Sequence, residues 1–395
     1  MAIKTGTWEI SVYVSSDNGR TWGLDIATEE FERLIIREKA GGSFPSATIY
    51  FKLRDQAKLV LMTEAYVWKV VITPDTAIER IGATSTMTYT FTPYASKATY
   101  GETNSLLEVE LSLISSNFRF LFDKCQGLYH GNSIDVIRKI VKDKNGLQLY
   151  ENDKLSKGKP DIETHDSQVW IQSNMADAAF VGYLLAHCTL RPDKDTGMET
   201  DAANYAICAD GGVRISTMRY IASAWDCMHL DTNQYKFNGV VWNNLYSNEM
   251  GGRGIYKPVV AMDRMAMTKK SYVSQSEEDA LGVSNLPNVS PEFYGVAVPM
   301  GQGFMNDNVY SSNFSQSVDS HKMSLINSTN NNIAIRLIDV IYLGLLQPID
   351  IVVEKLGNGV DNPLDGRYYI TDAIIDCNSE HIVVDLIISN SGLRR

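Results

Sequence analysis

No stretch of this sequence approaches the run of about 18 apolar residues that a membrane-spanning helix needs, which argues against a helical membrane anchor. The opening segment "MAIKTGTWEISVYV" alternates polar and apolar residues and has no continuous hydrophobic core, so it does not read as a signal peptide. The expectation is a protein made and folded in a cytoplasm. Cysteine is scarce and scattered. Cys125, Cys188, Cys208, Cys227 and Cys377 form no CxxC pair. An odd, dispersed set of this kind reads as reduced, buried thiols, neither a disulfide framework nor a zinc site. Basic charge is also short: 36 Lys and Arg stand against 47 Asp and Glu, a formal charge of −11. Phosphate binding needs clustered Lys and Arg, so specific nucleic-acid binding is not expected. Such a surface would suit a wall past which DNA slides without sticking, although ordinary solubility charge is the simpler account taken alone.

Catalytic signatures are missing as well. There is no GxSxG, HExxH, P-loop or GxGxxG, and "GGRG" at Gly251–Gly254 lacks the following helix that would make it a phosphate site. Three weaker constellations are present. Asp193-Lys194-Asp195-Thr196-Gly197 has the look of a calcium loop, but its glycine is fifth instead of sixth and Asn204 holds the twelfth place, where a glutamate belongs. Asp361, Asp365 and Gly366 in "GVDNPLDGRYY" are what a hairpin turn uses. Cys125 and His130 lie close in sequence, yet neither flank resembles a protease signature, and no third orienting group is apparent. His165, His187, His229, His321 and His381 are isolated. The expectation is therefore no catalytic residue, no metal, no cofactor and no enzyme.

What is present is strand pattern. At 395 residues, two to four domains are expected. "TWEISVYVSS" alternates and is followed by the turn Asp17-Asn18-Gly19. "FERLIIREKA", "GGSFPSATIYFKLRD", "AYVWKVVITP", "STMTYTFTPYA" and "LLEVELSLISS" continue the pattern to residue 116, which argues for a barrel or sandwich. The period then changes. Asn132 or Ser133 can cap a helix through "IDVIRKIVKDK" with Ile134, Ile137 and Val141 on one face, Lys139, Lys142 and Lys144 towards its end, and Gly146 placed to stop it. A second helix is expected from Ser173–Asn174, with Asp177 in its first turn and Phe180, Val181, Leu184, Leu185 and Cys188 on one buried face; Pro192 ends it. "ANYAICADGGVRIS" reads as a hairpin turning at Gly211-Gly212. "QYKFNGVVWNNLYS" is strand-like, and 247–332, rich in Ser, Asn, Gly and Met, reads as an inserted surface subdomain with a short helix at "SEEDALG". "NIAIRLIDVIYLGLLQPIDIVVEK" restores strands, with Pro348 at a bend. The closing "DGRYYITDAIIDCNSEHIVVDLIISNSGLRR" reads as a hairpin that buries Ile382, Val384, Leu386 and Ile388.

This order of parts resembles the baseplate hub proteins of contractile-tailed bacteriophages of the T4 and Mu types, and the hub segment of type VI secretion spike proteins. "GGSFPSATIYFKLRD", "DSQVWIQSNMADAAFVGYLLAHCTL" and "QPIDIVVEK…GRYYITDAIIDCNSEHIVVDLII" carry the resemblance. It implies an α+β, mainly β chain: a first tube-like antiparallel β-barrel over 1–116, an α+β domain over 117–228, a second tube-like barrel from 229–246 and 333–395, and an inserted subdomain over 247–332. It further implies a homotrimer whose six barrels join a six-fold tail tube to a three-fold spike and line a channel for DNA. The partners implied are the tail-tube or tube-initiator protein, a spike protein and other baseplate proteins. The location implied is the virion baseplate, assembled in the bacterial host cytoplasm. Because the sequence stops after its last strand, the spike is expected on a separate polypeptide. A receptor- or glycan-binding tail module, using the Ser/Asn/Tyr-rich insertion, is the alternative.

Overall fold

The computed structural model describes residues 2–4, 8–23, 28–41, 43–74, 86–100, 106–152, 162–186, 188, 190, 203–223, 228–231, 241–244, 259–263, 268–272, 298–299, 332–338, 344–352 and 366–390. The architecture is mainly β, built on a curled, half-barrel antiparallel sheet. Its N-terminal strands are β1 (Ala2–Lys4), β2 (Trp8–Ser15), β3 (Phe31–Lys39), β4 (Ser46–Leu53), β5 (Val67–Pro74), β6 (Met87–Tyr100) and β7 (Leu107–Ser115), in the order β1-β2-β5-β6-β7-β4-β3. Strict alternation drives this. Each second residue of β4 and β7 is buried, as period-2 patterning requires of a sheet with one covered face. After β2, the turn forms as expected. Asn18 and Gly19 take positive φ of 55° and 81°, and the Asp17 carboxylate accepts the backbone N–H of Arg20 and Thr21.

A smaller α+β unit follows. It comprises α1 (Phe118–Phe122), β8 (Lys124–Gly131), α2 (Ser133–Arg138), β9 (Leu149–Asn152), β10 (Gln168–Ala176), α3 (Asp177–Ala186), β11 (Ala203–Ile207), β12 (Val213–Thr217) and α4 (Met218–Ser223). β8 and β10 form a two-stranded antiparallel ribbon; β11, β12 and β9 form a small sheet in which β9 runs parallel to β12. The expected faces are buried: Ile134, Ile137 and Val141 from the first helix, and Phe180, Val181, Leu184, Leu185 and Cys188 from the α3 segment. The helix begun by α2 widens into an i→i+5 turn over Lys139–Lys144 and stops at Gly146, whose φ of +66° glycine adopts without a Cβ penalty.

Two expectations fail here for physical reasons. Asn132 takes the N-cap position, but its side chain makes no capping hydrogen bond, and Ser133 is already the first helical residue. The Ser133 N–H and hydroxyl both donate to Asp166, at 2.8 and 2.6 Å, so a remote carboxylate does the capping. Nor does α3 begin at Ser173–Asn174. Those residues form a bulge in β10, with Asn174 at φ 50°, and the Gln172 amide reaches over the bulge to Met175 O and Asp177 Oδ1. Pro192, Cys227 and the "SEEDALG" segment lie outside the described residues.

Farther along come β13 (Met228–Asp231) and β14 (Val241–Asn244), then β15 (Val259–Asp263), β16 (Thr268–Tyr272) and β17 (Val298–Pro299), which make a three-stranded antiparallel sheet within 247–332. The last strands are β18 (Asn332–Ile338), β19 (Pro348–Val352), β20 (Gly366–Asn378) and β21 (Ile382–Asn390). β20 and β21 form the expected closing hairpin, and Ile382, Val384, Leu386 and Ile388 are fully buried.

The hairpin does not stand apart. β20 pairs antiparallel with β3, Asp372 opposite Lys39 and Asn378 opposite Arg33, so the sheet runs on from β3 through β20, β21 and β18 to β14. One apolar core spans this seam. It holds Trp68, Phe51 and Phe91 from the early strands together with Tyr368, Ile375 and Leu386 from the late ones. A second core, around Phe180, Trp170 and Ile137, belongs to the α+β unit. A buried ion pair of Arg367 with Asp350 fastens β20 to β19, and Arg367 Nη1 also donates to Ile221 O of α4 at 2.8 Å. No helix among the described residues is long and apolar enough to cross a membrane.

Candidate functional site

The residues flagged in the sequence do not converge. Cys125 and His130 lie on the same strand, β8, five positions apart, and an odd separation along a strand points side chains to opposite faces. His165 and His381 are exposed on separate loops, while only the backbone of His229 is described, in β13. Gly366 opens β20; Asp193–Gly197, Gly251–Gly254, His187, His321, Asp361 and Asp365 lie outside the described residues. Among the described residues no group of three or more His, Cys, Asp or Glu side chains is placed to hold a metal ion.

What the fold does assemble is a set of surfaces and one polar junction. On the outward side of the β8–β10 ribbon, Leu128 stands opposite Ile171 and His130 opposite Val169. Leu128 and Ile171 are 62% and 64% exposed, so the ribbon presents an apolar face to solvent. The solvent side of the sheet is paired charge here: Arg33 with Asp376 and Lys39 with Asp372 across the β3–β20 seam, and Arg336 with Asp385 between β18 and β21. The sheet path ends at β1 and β14, each with one side unpaired among the described strands.

The junction lies where three parts of the chain meet around a cavity of 320 Å³. Glu38 and Thr86–Thr88 come from the N-terminal strands. Tyr150, Cys208, Asp210 and Arg214 come from the small sheet, and Gly344 and Leu345 from the loop before β19. The β11–β12 turn closes with Cys208 N–H on Gly212 O at 2.8 Å, and Gly211 takes φ +81°. The Arg214 guanidinium donates to Leu345 O at 2.8 Å and lies 5.9 Å from the Tyr150 ring centre. Gly344 is required there: at φ +111°, a Cβ would sit 2.9 Å from Arg214 Nη1. The Tyr150 hydroxyl donates to Asp210, and that bond pushes the phenol up to about 12.

Glu38 is the residue that sequence reading missed. It is 5% exposed, and its Oε2 has no hydrogen-bond partner among the described residues. Burial pushes its carboxyl up to about 8, against the opposing pull of the Tyr89 hydroxyl and the Arg214 charge. Burial likewise pushes the neighbouring Cys208 thiol up to about 12. A signal was available: Leu34, Ile36 and Glu38 share one parity on β3, so a carboxylate sits on the core side of an otherwise apolar stripe.

The chain has the fold of phage tail hub-like proteins. A tail protein from Neisseria meningitidis MC58 is similar over 98% of this chain and 98% of its own, at 11% identity and a TM-score of 0.55. The 43 kDa tail protein of prophage MuSo2 from Shewanella oneidensis is similar over 96% and 97%, at 9% identity and a TM-score of 0.50. An Escherichia coli component of the type VI secretion system, described as structurally similar to the T4 tail proteins gp27 and gp5, is similar over 93% of this chain and 76% of its own, at 10% identity and a TM-score of 0.51. No family model matches the sequence, and no curated protein does.

Proposed function

We propose that this chain is a structural tail protein acting as a trimeric baseplate hub. Its role is to join a six-fold tail tube to a three-fold spike and to line the channel through which DNA passes. The observation that carries this reading is the near end-to-end likeness to tail proteins, 98% of each chain in the Neisseria case, which includes the early strands, the α+β unit and the late strands together. In this reading the segments 1–116 and 229–246 with 333–395 are the two tube-like barrels, 117–228 the α+β domain and 247–332 an inserted subdomain. The β3–β20 seam then makes the two barrels neighbours in one wall, and strand edges at β1 and β14 are closed by adjacent subunits. The apolar face of the β8–β10 ribbon supports an assembly role, since an exposed cluster of large aliphatic side chains is ordinarily covered by a partner. No chemistry is required of the chain. Its location is the virion baseplate, with assembly in the host cytoplasm, and tube, spike and other baseplate proteins as neighbours.

Sedimentation and negative-stain imaging of the purified protein test this. The expected particle has three times the mass of the 44.0 kDa chain and a central channel. A monomer at high concentration overturns it, and a channel lined mainly by Lys and Arg removes the DNA-passage part.

A further inference from the structure

The junction cavity holds a group that the hub reading does not use. Glu38 lies on β3 directly opposite Ala373 of β20, at the seam between early and late strands. It faces Tyr89 from β6, Cys208 and Asp210 from the β11–β12 turn, Arg214 from β12, and the Gly344–Leu345 loop. Asp210 is already held by the Tyr150 hydroxyl and by the Gly212 N–H at 2.9 Å. Arg214 is anchored to Leu345 O. The Tyr89 hydroxyl, which reaches Met87 Sδ at 4.0 Å, favours the charged form of the Glu38 carboxyl, and Glu38 Oε2 is left without a hydrogen-bond partner among the described residues.

A neutral carboxylic acid tolerates that arrangement far better than a carboxylate does, because an ionised oxygen buried without a donor loses its hydration and gains nothing in return. The cheapest relief for the ionised form is water, and water is admitted by parting the β11–β12 turn and the Gly344–Leu345 loop from β3 and β6. We propose that Glu38 is a proton-operated latch: its neutral acid closes the junction of the N-terminal strands, the β11–β12 turn and the Gly344–Leu345 loop, and its carboxylate opens that junction to water. The linkage sign is set by a folded-state value near 8 against an ordinary 4.5. The folded junction binds the proton more tightly than the unfolded chain, so its stabilisation is complete at low pH and is lost as pH rises towards 8.

Cys208 is the built-in reporter, a half-buried thiol at the same cavity. Alkylation of Cys208 by iodoacetamide, located by peptide mass spectrometry, is to be compared in wild type and Glu38→Gln at pH 6 and pH 9. Taking the ratio at one pH removes the general rise in thiolate with pH, and the Glu38 charge itself holds the Cys208 thiol up, which slows the wild type and works against the expected direction. The expected ratio of wild-type to variant rate is near one at pH 6 and about tenfold or more at pH 9, one pH unit above the Glu38 value and so with about nine-tenths of the carboxyl ionised. A ratio that does not change between the two pH values overturns the latch. So does a parallel rise at Cys377, buried in the main core, because that would be global loosening. Tyr89→Phe removes the one hydroxyl that favours the carboxylate, so its opening should move to higher pH. If Glu38→Gln does not fold, an unmoved step in Tyr89→Phe overturns the proposal by itself.

Discussion

Arg33 Nε lies 2.8 Å from Asp376 Oδ1, and Nη2 lies 2.5 Å from Oδ2, a two-point fork joining residues 343 positions apart. It crosses the seam on the solvent side, directly outside Leu34 and Ile375, which are fully buried.

The seam should owe its strength to those inner residues. A double-mutant cycle on Arg33→Ala and Asp376→Ala is expected to give a coupling of about 1 kcal/mol or less, as for exposed ion pairs in general. Leu34→Ala or Ile375→Ala should cost about 2–5 kcal/mol, from lost burial plus the cavity left behind. Urea denaturation of the five variants, the double mutant included, decides the ranking, and an ion-pair coupling larger than the aliphatic losses would reverse it.

Helix α3 offers a sharper test. Alanine in place of glycine normally stabilises a helix interior by up to about 1 kcal/mol. At Gly182 a Cβ would fall 2.8 Å from the hydroxyl of Tyr205, which is buried and itself donates to Ala178 O at 3.3 Å. Gly182→Ala is therefore expected to destabilise, by about 1–3 kcal/mol for a core forced to accept an extra carbon. Adding Tyr205→Phe should recover part of the loss. A stabilised Gly182→Ala protein on thermal melting would contradict the close packing of α3 on β11.

The turn after β2 predicts an acid-side effect. The backbone N–H of Thr21, with help from its hydroxyl and that of Ser15, holds the Asp17 carboxyl down at about 2. A depressed carboxyl adds stability that is present above its ordinary 3.8 and is lost as pH falls through about 2. Carboxyl titration by NMR should place Asp17 near 2, and Thr21→Val should raise it towards the ordinary value. An Asp17 titrating normally in the wild type would show that the turn is open in solution.

Much of this architecture could be read from sequence because most of it is local. Strands β2 to β7 carry alternating residues and are separated by turn chemistry, and the β11–β12 and β20–β21 hairpins announce themselves in the same way. What failed was decided by side-chain bonds and pairings that no local pattern announces. The helix at Ser133 is capped by Asp166, 33 residues on, and the bulge at Asn174 is bridged by Gln172 reaching to Asp177. Neither bond has a sequence period. The β3–β20 pairing is invisible for the same reason: each strand is plain, but only the shared core of Leu34, Ile36, Ile375 and Cys377 selects one as the other's neighbour. Cys125 and His130 were separated by strand parity, and Glu38 was hidden among ordinary charged residues, although its place in the Leu34–Ile36 stripe marked it.

The β3–β20 pairing also sets a clock on biosynthesis. The first hairpins can close while the chain is still being made, but one side of β3 must wait for a strand that begins at Gly366. At typical translation speeds of about 5–20 residues per second, the 343 positions from Arg33 to Asp376 correspond to roughly 20 to 70 s. Throughout that interval Phe31–Lys39 offers an open hydrogen-bonding edge to any other nascent copy nearby, and partner exchange between chains competes with the correct closure. The charges of Glu32, Arg33, Arg37 and Lys39 along that edge keep it soluble while it waits.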